Sequence, residues 1–264
     1  MTGSWKRARQ AVGGSCWRLL DSGPGPGDWN MALDRALLEQ VAAGASQPVI
    51  RFYSWSAPTL SFGRMQRPSR DLLRLCAGLG VAVVRRPTGG KAILHHREVT
   101  FSIIAPAAGM GSVIASYRTF ARAIGAGLRR LGVDAQLCEP PHPPRRDRLL
   151  CFAAPAQCDL EIGGRKLLGS AQARHSGALL QQNSLPLVLA SNLKERLFGT
   201  RSAAEETRIA TDLTAALARE PSCQEVKAAI LSGFESELET QFEAGVPTEA
   251  ESVAAEALRD SFAL

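Results

Sequence analysis

The chain has 264 residues, 45% of them hydrophobic, and a formal net charge of +6, so it can bury a core as one large domain or two small ones. No apolar run approaches the roughly 18 residues of a membrane helix, and the opening MTGSWKRARQAVGG lacks a signal peptide's apolar stretch, so a cytoplasmic protein that engages no membrane is expected. Cys16, Cys76, Cys138, Cys151, Cys158 and Cys223 form no C-x-x-C pair and have no histidine at zinc spacing, which argues against a disulfide framework or a metal site and for reduced thiols.

Residues 1–16 read as a disordered lead, and Ser22–Asp28 (SGPGPGD) as a turn-rich loop. A helix is expected next, since Trp29, Leu33, Ala36, Leu37 and Val41 recur at helical spacing, with Asp28 or Asn30 to cap it and Gly44 to end it. Val49–Tyr53 and Thr59–Phe62 read as strands, and Trp55 between them either lines a pocket or packs. Ser69 caps a second helix that runs through Leu79 and stops at Gly80.

The stretch VAVVRRPTGGKAILHHREVTFSII begins β-branched, passes Arg85 and Arg86 into Pro87-Thr88-Gly89-Gly90, and returns as a second apolar run. Two readings are open on local signals: a Gly-Gly hairpin, or glycines that let backbone amides approach a ligand. Ser112–Leu131 is an amphipathic helix with Ile114, Tyr117, Phe120, Ile124 and Leu128 on one stripe, ended by Gly132. VDAQL reads as a strand, and Pro140–Arg148 as an irregular loop.

From Leu149 to Arg174 (LLCFAAPAQCDLEIGGRKLLGSAQAR) a cysteine, a lysine and two glycines converge. Gly163-Gly164 lies between the runs Cys158–Ile162 and Lys166–Ala171 and reads as a tight hairpin turn. Cys151 is either a buried small hydrophobe or a nucleophile. A lysine ammonium such as that of Lys166, if near the thiol, would favour the reactive thiolate. SGALLQQNSLPL gives a further strand, and the chain from Leu193 onward reads as helical and acidic.

Charge is uneven along the chain. From Glu220 onward ten acidic residues oppose Lys227 and Arg259, a net of −8 that leaves +14 on residues 1–219. No nucleic-acid motif accompanies the basic part, so nucleic acid is not expected as a partner, and a solvated face or an acidic protein partner remains.

Three of these stretches, DSGPGPGDWNMALDRALL, RRPTGGKAILHHREVTFS and CFAAPAQCDLEIGGRKLLGSAQAR, together resemble the octanoyltransferases of the biotin/lipoate protein ligase family, cysteine-dependent branch. The resemblance runs in chain order over residues 17–235. It implies an α+β catalytic domain related to the class II synthetase core, a mixed and mostly antiparallel sheet packed with helices. Residues 236–264 are left as an acidic helical tail, and the accessory C-terminal domain of many lipoate ligases is not expected.

By the same resemblance Cys151 carries the acyl group as a thioester, and Lys166 lowers the thiol pKa and stabilises the oxyanion. Arg86, Thr88, Gly89, Gly90, His95, Gly169, Ser170 and Ala171 bind substrate, while Trp55 and Gly63 border the acyl tunnel. His96 stands where the family usually has Asp, and Gln182-Asn183 where it often has His-Gly.

The activity implied is transfer of octanoyl from octanoyl-acyl carrier protein to a lysine of lipoyl domains, on 2-oxo-acid dehydrogenase complexes or the glycine cleavage H protein, as the first step of lipoate assembly. Thioester to amide runs downhill, so no cofactor, ATP or metal is expected. The competing readings are an ATP-dependent lipoate or biotin ligase, an octanoyl amidotransferase between lipoyl-type proteins, and a non-catalytic acyl-binding paralogue.

Overall fold

The structure, a computed structural model, describes residues 14–138, 159–200, 204 and 208–264. Its strands are β1 (Cys16–Gly25), β2 (Val49–Trp55), β3 (Thr59–Phe62), β4 (Ala82–Arg85), β5 (Ile93–His95), β6 (Glu98–Pro106), β7 (Gln136–Leu137), β8 (Leu160–Ile162), β9 (Arg165–His175), β10 (Ala178–Pro186) and β11 (Gln241–Gly245). Its helices are α1 (Gly27–Ala42), α2 (Arg70–Gly78), α3 (Val113–Arg130), α4 (Ser191–Phe198), α5 (Leu213–Leu217), α6 (Cys223–Leu238) and α7 (Glu249–Leu258).

An eight-stranded sheet runs β11-β1-β2-β6-β10-β9-β8-β7. Pairing is parallel for β1 with β11 and with β2, and antiparallel from β2 to β7, so the sheet is mixed and mostly antiparallel as expected. A second sheet has the order β4-β3-β5.

Side-chain alternation along the central strands divides the large sheet into two faces. Ile50, Phe52, Val99, Phe101, Ile103 and Leu179 join Phe120, Ile124 and Leu128 of α3 and Ile230 and Phe234 of α6 in the main core. The intervening positions behave differently. Val49, Ile104 and Leu180 pack with Leu33 and Leu37 of α1 and with Ala255 of α7, but Arg51, Glu98, Thr100, Ser102, Gln182 and Ser184 are polar and buried. A polar stripe on an interior face has to be satisfied from within, and it is where the site forms.

Helices α3 and α6 approach closely through two glycines: a Cβ on Gly127 would lie 2.1 Å from the Ala229 carbonyl oxygen, and one on Gly233 2.1 Å from that of Ala123. Gly163 and Gly164, at φ 55° and 75°, make the expected tight turn between β8 and β9. Ser69 and Ser112 cap α2 and α3 by accepting from Leu72 N and Ala115 N.

Several expectations are corrected. Ser22–Gly25 is not a free loop: β1 continues through it to Gly25, with an irregularity in its pairing to β2 between Asp21 and Pro24. Cys16, placed in the lead, is paired with Gln241. Neither Asp28 nor Asn30 caps α1; the cap position is Pro26, and the Asn30 side chain instead reaches the Gly25 and Ser54 carbonyls.

The segment from 236 onward is not simply a helical tail. It adds the edge strand β11, lays α7 on α1, and returns Phe262 O to accept from Arg85 N at 2.8 Å. Its acidic side chains find basic partners, Glu251 with Arg18 at 2.5 Å, while Asp28 takes Arg259 of the same segment at 2.7 Å.

The Gly89-Gly90 loop is not a hairpin either. β4 and β5 are not neighbours; both pair with β3, which lies between them, in parallel and antiparallel fashion respectively. The loop therefore crosses the end of β3. Gly63 makes room for it, since a Cβ there would lie 2.0 Å from the Gly90 carbonyl oxygen.

Candidate active site

A narrow cleft, about 280 Å³ of non-atom space when the open solvent at its mouth is counted, lies between the polar stripe of the large sheet and the small sheet. Met31, Tyr53, Trp55, Ile93 and Ala171 supply much of its apolar wall, with Ser61, Arg86, His95, Thr100, Gln182, Asn183 and Ser184 as the polar lining.

At one end is a buried network built around Asp34 of α1, whose side chain is fully buried with that of Arg51 at 2.8 Å. Its carboxylate also accepts from Ser102 Oγ at 2.5 Å, Tyr53 Oη at 3.2 Å and Gln182 Nε2 at 2.8 Å. Arg51 further donates to Ser22 Oγ and to Asn30 Oδ1, and lies over the Tyr53 ring. A charge this deep needs several partners, and this one has them. Burial pushes the Tyr53 phenol well above its usual range; the Asp34 charge adds to the effect and Arg51 opposes it.

Gln182 carries the network to the glycine loop, because its Oε1 accepts from Thr88 Oγ1 at 2.7 Å. The loop is then held by Arg86. Its guanidinium donates to the carbonyls of Gly89 at 2.7 Å and Lys91 at 2.6 Å, and to both the carbonyl and hydroxyl oxygens of Ser61. Arg86 thus shapes the cleft wall through its own loop, and Gly90, at φ +89°, leaves room for it, since a Cβ there would lie 2.9 Å from the guanidinium Nη2.

The other end is the His95 cluster. His95 Nδ1 is 2.7 Å from Glu98 Oε1 and Nε2 is 2.7 Å from Ser61 Oγ. The ring stacks on Trp55 with centroids 4.1 Å apart, and the Trp55 indole donates to Thr100 Oγ1 at 2.9 Å. Glu98 also accepts from Ser184 Oγ at 2.6 Å and from Thr100. Burial pushes the Glu98 carboxyl up, but attraction to the charged form of His95 and the hydrogen bonds from His95, Ser184 and Thr100 prevail, and hold it below the ordinary carboxylate range.

Residues 26–235 match the model of the lipoyl protein ligase A/B catalytic domain. The chain belongs to that family. Octanoyltransferase LipM of Kyrpidia tusciae is 35% identical over 263 residues, covering 92% of this chain and 94% of the relative. Octanoyltransferase LipM of Symbiobacterium thermophilum is 37% identical over 257 residues, covering 92% and 93%.

Among solved structures, a lipoate protein ligase of T. acidophilum with bound lipoic acid superposes with a TM-score of 0.77 at 24% identity, over 93% of this chain and 95% of that one. Lipoate-protein ligase A bound with ATP gives 0.74 at 24% identity, over 93% and 94%. These structures support the fold, an α+β lipoyl ligase catalytic domain.

Of the residues expected from the sequence, Arg86, His95 and Ala171 line the cleft together, and so does Trp55. Thr88 is buried behind the wall on Gln182, and Gly89 belongs to the loop that Arg86 holds. Gly169 and Ser170 pair across β9 and β10 with Ser184 and Asn183, and Ser170 Oγ donates to Asn183 Oδ1 at 2.8 Å. Cys151 lies outside the described residues.

Lys166 sits on β9, is 1% exposed, and forms an ion pair with Asp159 at 2.7 Å. The partner is informative, because a carboxylate against the ammonium offsets part of the positive field that the lysine could lend to a thiol. His96 is exposed, and the carboxylate beside His95 comes from Glu98 instead.

The sequence reading did not assign Asp34, Arg51, Ser61, Glu98, Thr100 or Ser184 to the site, and left Gln182-Asn183 without a role. A usable signal was present: Glu98, Thr100 and Ser102 alternate with Val99, Phe101 and Ile103, a polar file inside a strand otherwise apolar enough to be buried. Asp34 carries no such local sign, and only packing brings it to Arg51.

Proposed function

We propose that this lipoyl ligase-family chain transfers an octanoyl group in lipoate assembly, taking it from octanoyl-acyl carrier protein and delivering it to a lysine of lipoyl domains. The observation that carries the reading is the likeness to octanoyltransferases LipM over nearly the whole length of both chains. The cleft is consistent with it, with apolar side chains for an acyl chain and polar groups at its inner wall.

The reaction proceeds in two stages. The Cys151 thiolate attacks the thioester carbonyl of the donor and releases the carrier thiol, leaving an acyl-enzyme thioester. The acceptor amine then attacks that carbonyl, the cysteine sulfur leaves, and an amide results. Lys166 favours the thiolate, Asp159 holds Lys166 in place, and donors near the carbonyl stabilise the oxyanion. Arg86, Thr88, Gly89, Gly90, His95, Gly169, Ser170 and Ala171 form or support the surface that receives the acyl group. Thioester and amide chemistry balance without ATP.

The test is intact mass after incubation with octanoyl-acyl carrier protein, with and without ATP, followed by addition of a lipoyl domain. An octanoyl adduct that forms without ATP, maps to Cys151 and moves to the lipoyl domain is the expected result. An adduct or transfer that requires ATP would instead assign ligase activity.

A further inference from the structure

The acceptor in the reaction above is a lysine, and a free lysine ammonium titrates near 10.4, so at neutral pH it must lose a proton before it can attack. Lys166 is a poor candidate to take that proton, being paired as an ammonium with Asp159 at 2.7 Å. The cleft holds a better one.

The hydrogen bonds of the His95 cluster have a direction. A carboxylate only accepts, so the proton between His95 Nδ1 and Glu98 Oε1 belongs to the imidazole; when the ring is neutral, Nε2 is then an acceptor for the Ser61 hydroxyl at 2.7 Å. Ser61 Oγ receives Arg86 Nη1 at 3.2 Å on one lone pair and keeps a second. Ser61 and His95 both line the cleft.

We propose that Ser61, His95 and Glu98 form the proton-accepting relay for the acceptor lysine, with Ser61 touching the ammonium, His95 taking the charge and Glu98 positioning and stabilising the ring. This rests on the acyl-transfer reading. An ammonium N–H breaks and its proton passes to Ser61 Oγ while the Ser61 proton moves to His95 Nε2, leaving a neutral amine and an imidazolium.

The amine lone pair attacks the thioester carbonyl carbon, the C–S bond breaks, and the second amine proton goes to the departing sulfur. His95 then returns its proton to solvent. The sum is ammonium plus thioester giving amide, thiol and one proton.

Charges around the relay favour each step. Arg86 beside Ser61 disfavours the ammonium form of an amine placed there. Glu98 is itself held as a carboxylate by Thr100 and Ser184, and Trp55 stacked on the ring keeps it in plane with Glu98. Asp34 and Arg51, buried behind Tyr53 and Gln182, are paired with each other.

The experiment compares two acceptors on the acyl-loaded enzyme. At saturating lipoyl domain and pH 7, His95→Gln should slow transfer to lysine by roughly 10²- to 10⁴-fold, the usual range for losing a general base. Hydroxylamine, already neutral at that pH, should lose far less of its rate than lysine does, because it needs no base and shares any change in the acyl-binding surface. The lysine deficit should shrink as pH rises towards 10. Ser61→Ala, which removes only a hydroxyl, should show the same pattern.

An equal loss with both acceptors, or a lysine deficit that does not change with pH, would overturn the relay and leave these residues as cleft structure. If the wild type forms no acyl adduct, the cysteine step is what fails. The pH dependence of His95→Gln in overall transfer from octanoyl-acyl carrier protein still decides the relay.

Discussion

Gln182→Leu probes the link between the Asp34 network and the glycine loop with little change in volume. It deletes two strong buried hydrogen bonds, Gln182 Nε2 to Asp34 Oδ2 at 2.8 Å and Thr88 Oγ1 to Gln182 Oε1 at 2.7 Å, together with a weak one from Nε2 to Met31 Sδ at 3.3 Å. The first involves a charged acceptor, worth about 1.5–3 kcal/mol, and the second a neutral pair, worth about 1 kcal/mol. Asp34 keeps Arg51, Tyr53 and Ser102, so the carboxylate is not stranded and the loss should be about 2–4 kcal/mol.

Thr88, in contrast, has its hydroxyl left without Gln182 in a fully buried place. Thr88→Val in the Gln182→Leu background should therefore cost less than it does alone. A double-mutant cycle by urea unfolding should read a coupling of about 0.5–3 kcal/mol between the two positions. The same cycle on transfer kinetics should show KM for the acyl donor rising in each single variant, because the loop wall moves. A coupling within about 0.3 kcal/mol of zero would mean that the two side chains act independently, and the link would have to be abandoned.

Cys151→Ala and Cys151→Ser should abolish transfer while Cys158→Ala keeps it; activity retained by a Cys151 variant would remove the covalent step. Lys166→Ala should move the alkylation of Cys151 by iodoacetamide to higher pH, and Asp159→Asn should move it lower, since the carboxylate offsets the lysine charge at 2.7 Å; identical profiles in all three proteins would refute the pairing's role. The +14 on residues 1–219 should attract acidic carrier proteins, so kcat/KM should fall from low to moderate ionic strength; a flat profile would reduce it to an ordinary solvated surface. Glu98 is held below the ordinary carboxylate range, so its contribution to stability is present above the unfolded value of about 4.3 and is lost as pH falls through the folded value. Glu98→Gln should therefore flatten the acid limb of the stability curve, and an unchanged limb would contradict the cause given for the shift.

The sequence alone determined most local structure and the family. The helical spacing from Leu33 to Val41, the serines that cap α2 and α3, and the Gly163-Gly164 turn are signals carried by neighbouring residues, and each acts over a few positions of chain. Motif order did the same for the fold class. Tertiary structure decided what depends on residues far apart. Whether Gly89-Gly90 closes a hairpin or crosses β3 depends on where β3 inserts, and the 236–264 segment becomes part of the sheet because β1 offers it an open edge.

The polar interior follows the same logic. Asp34 meets Arg51 17 positions on, Ser102 68 positions on and Gln182 148 positions on. A buried charge draws partners from any part of the chain that can reach it. Local pattern marks such a strand position as polar, but only the packed fold determines which partner answers it.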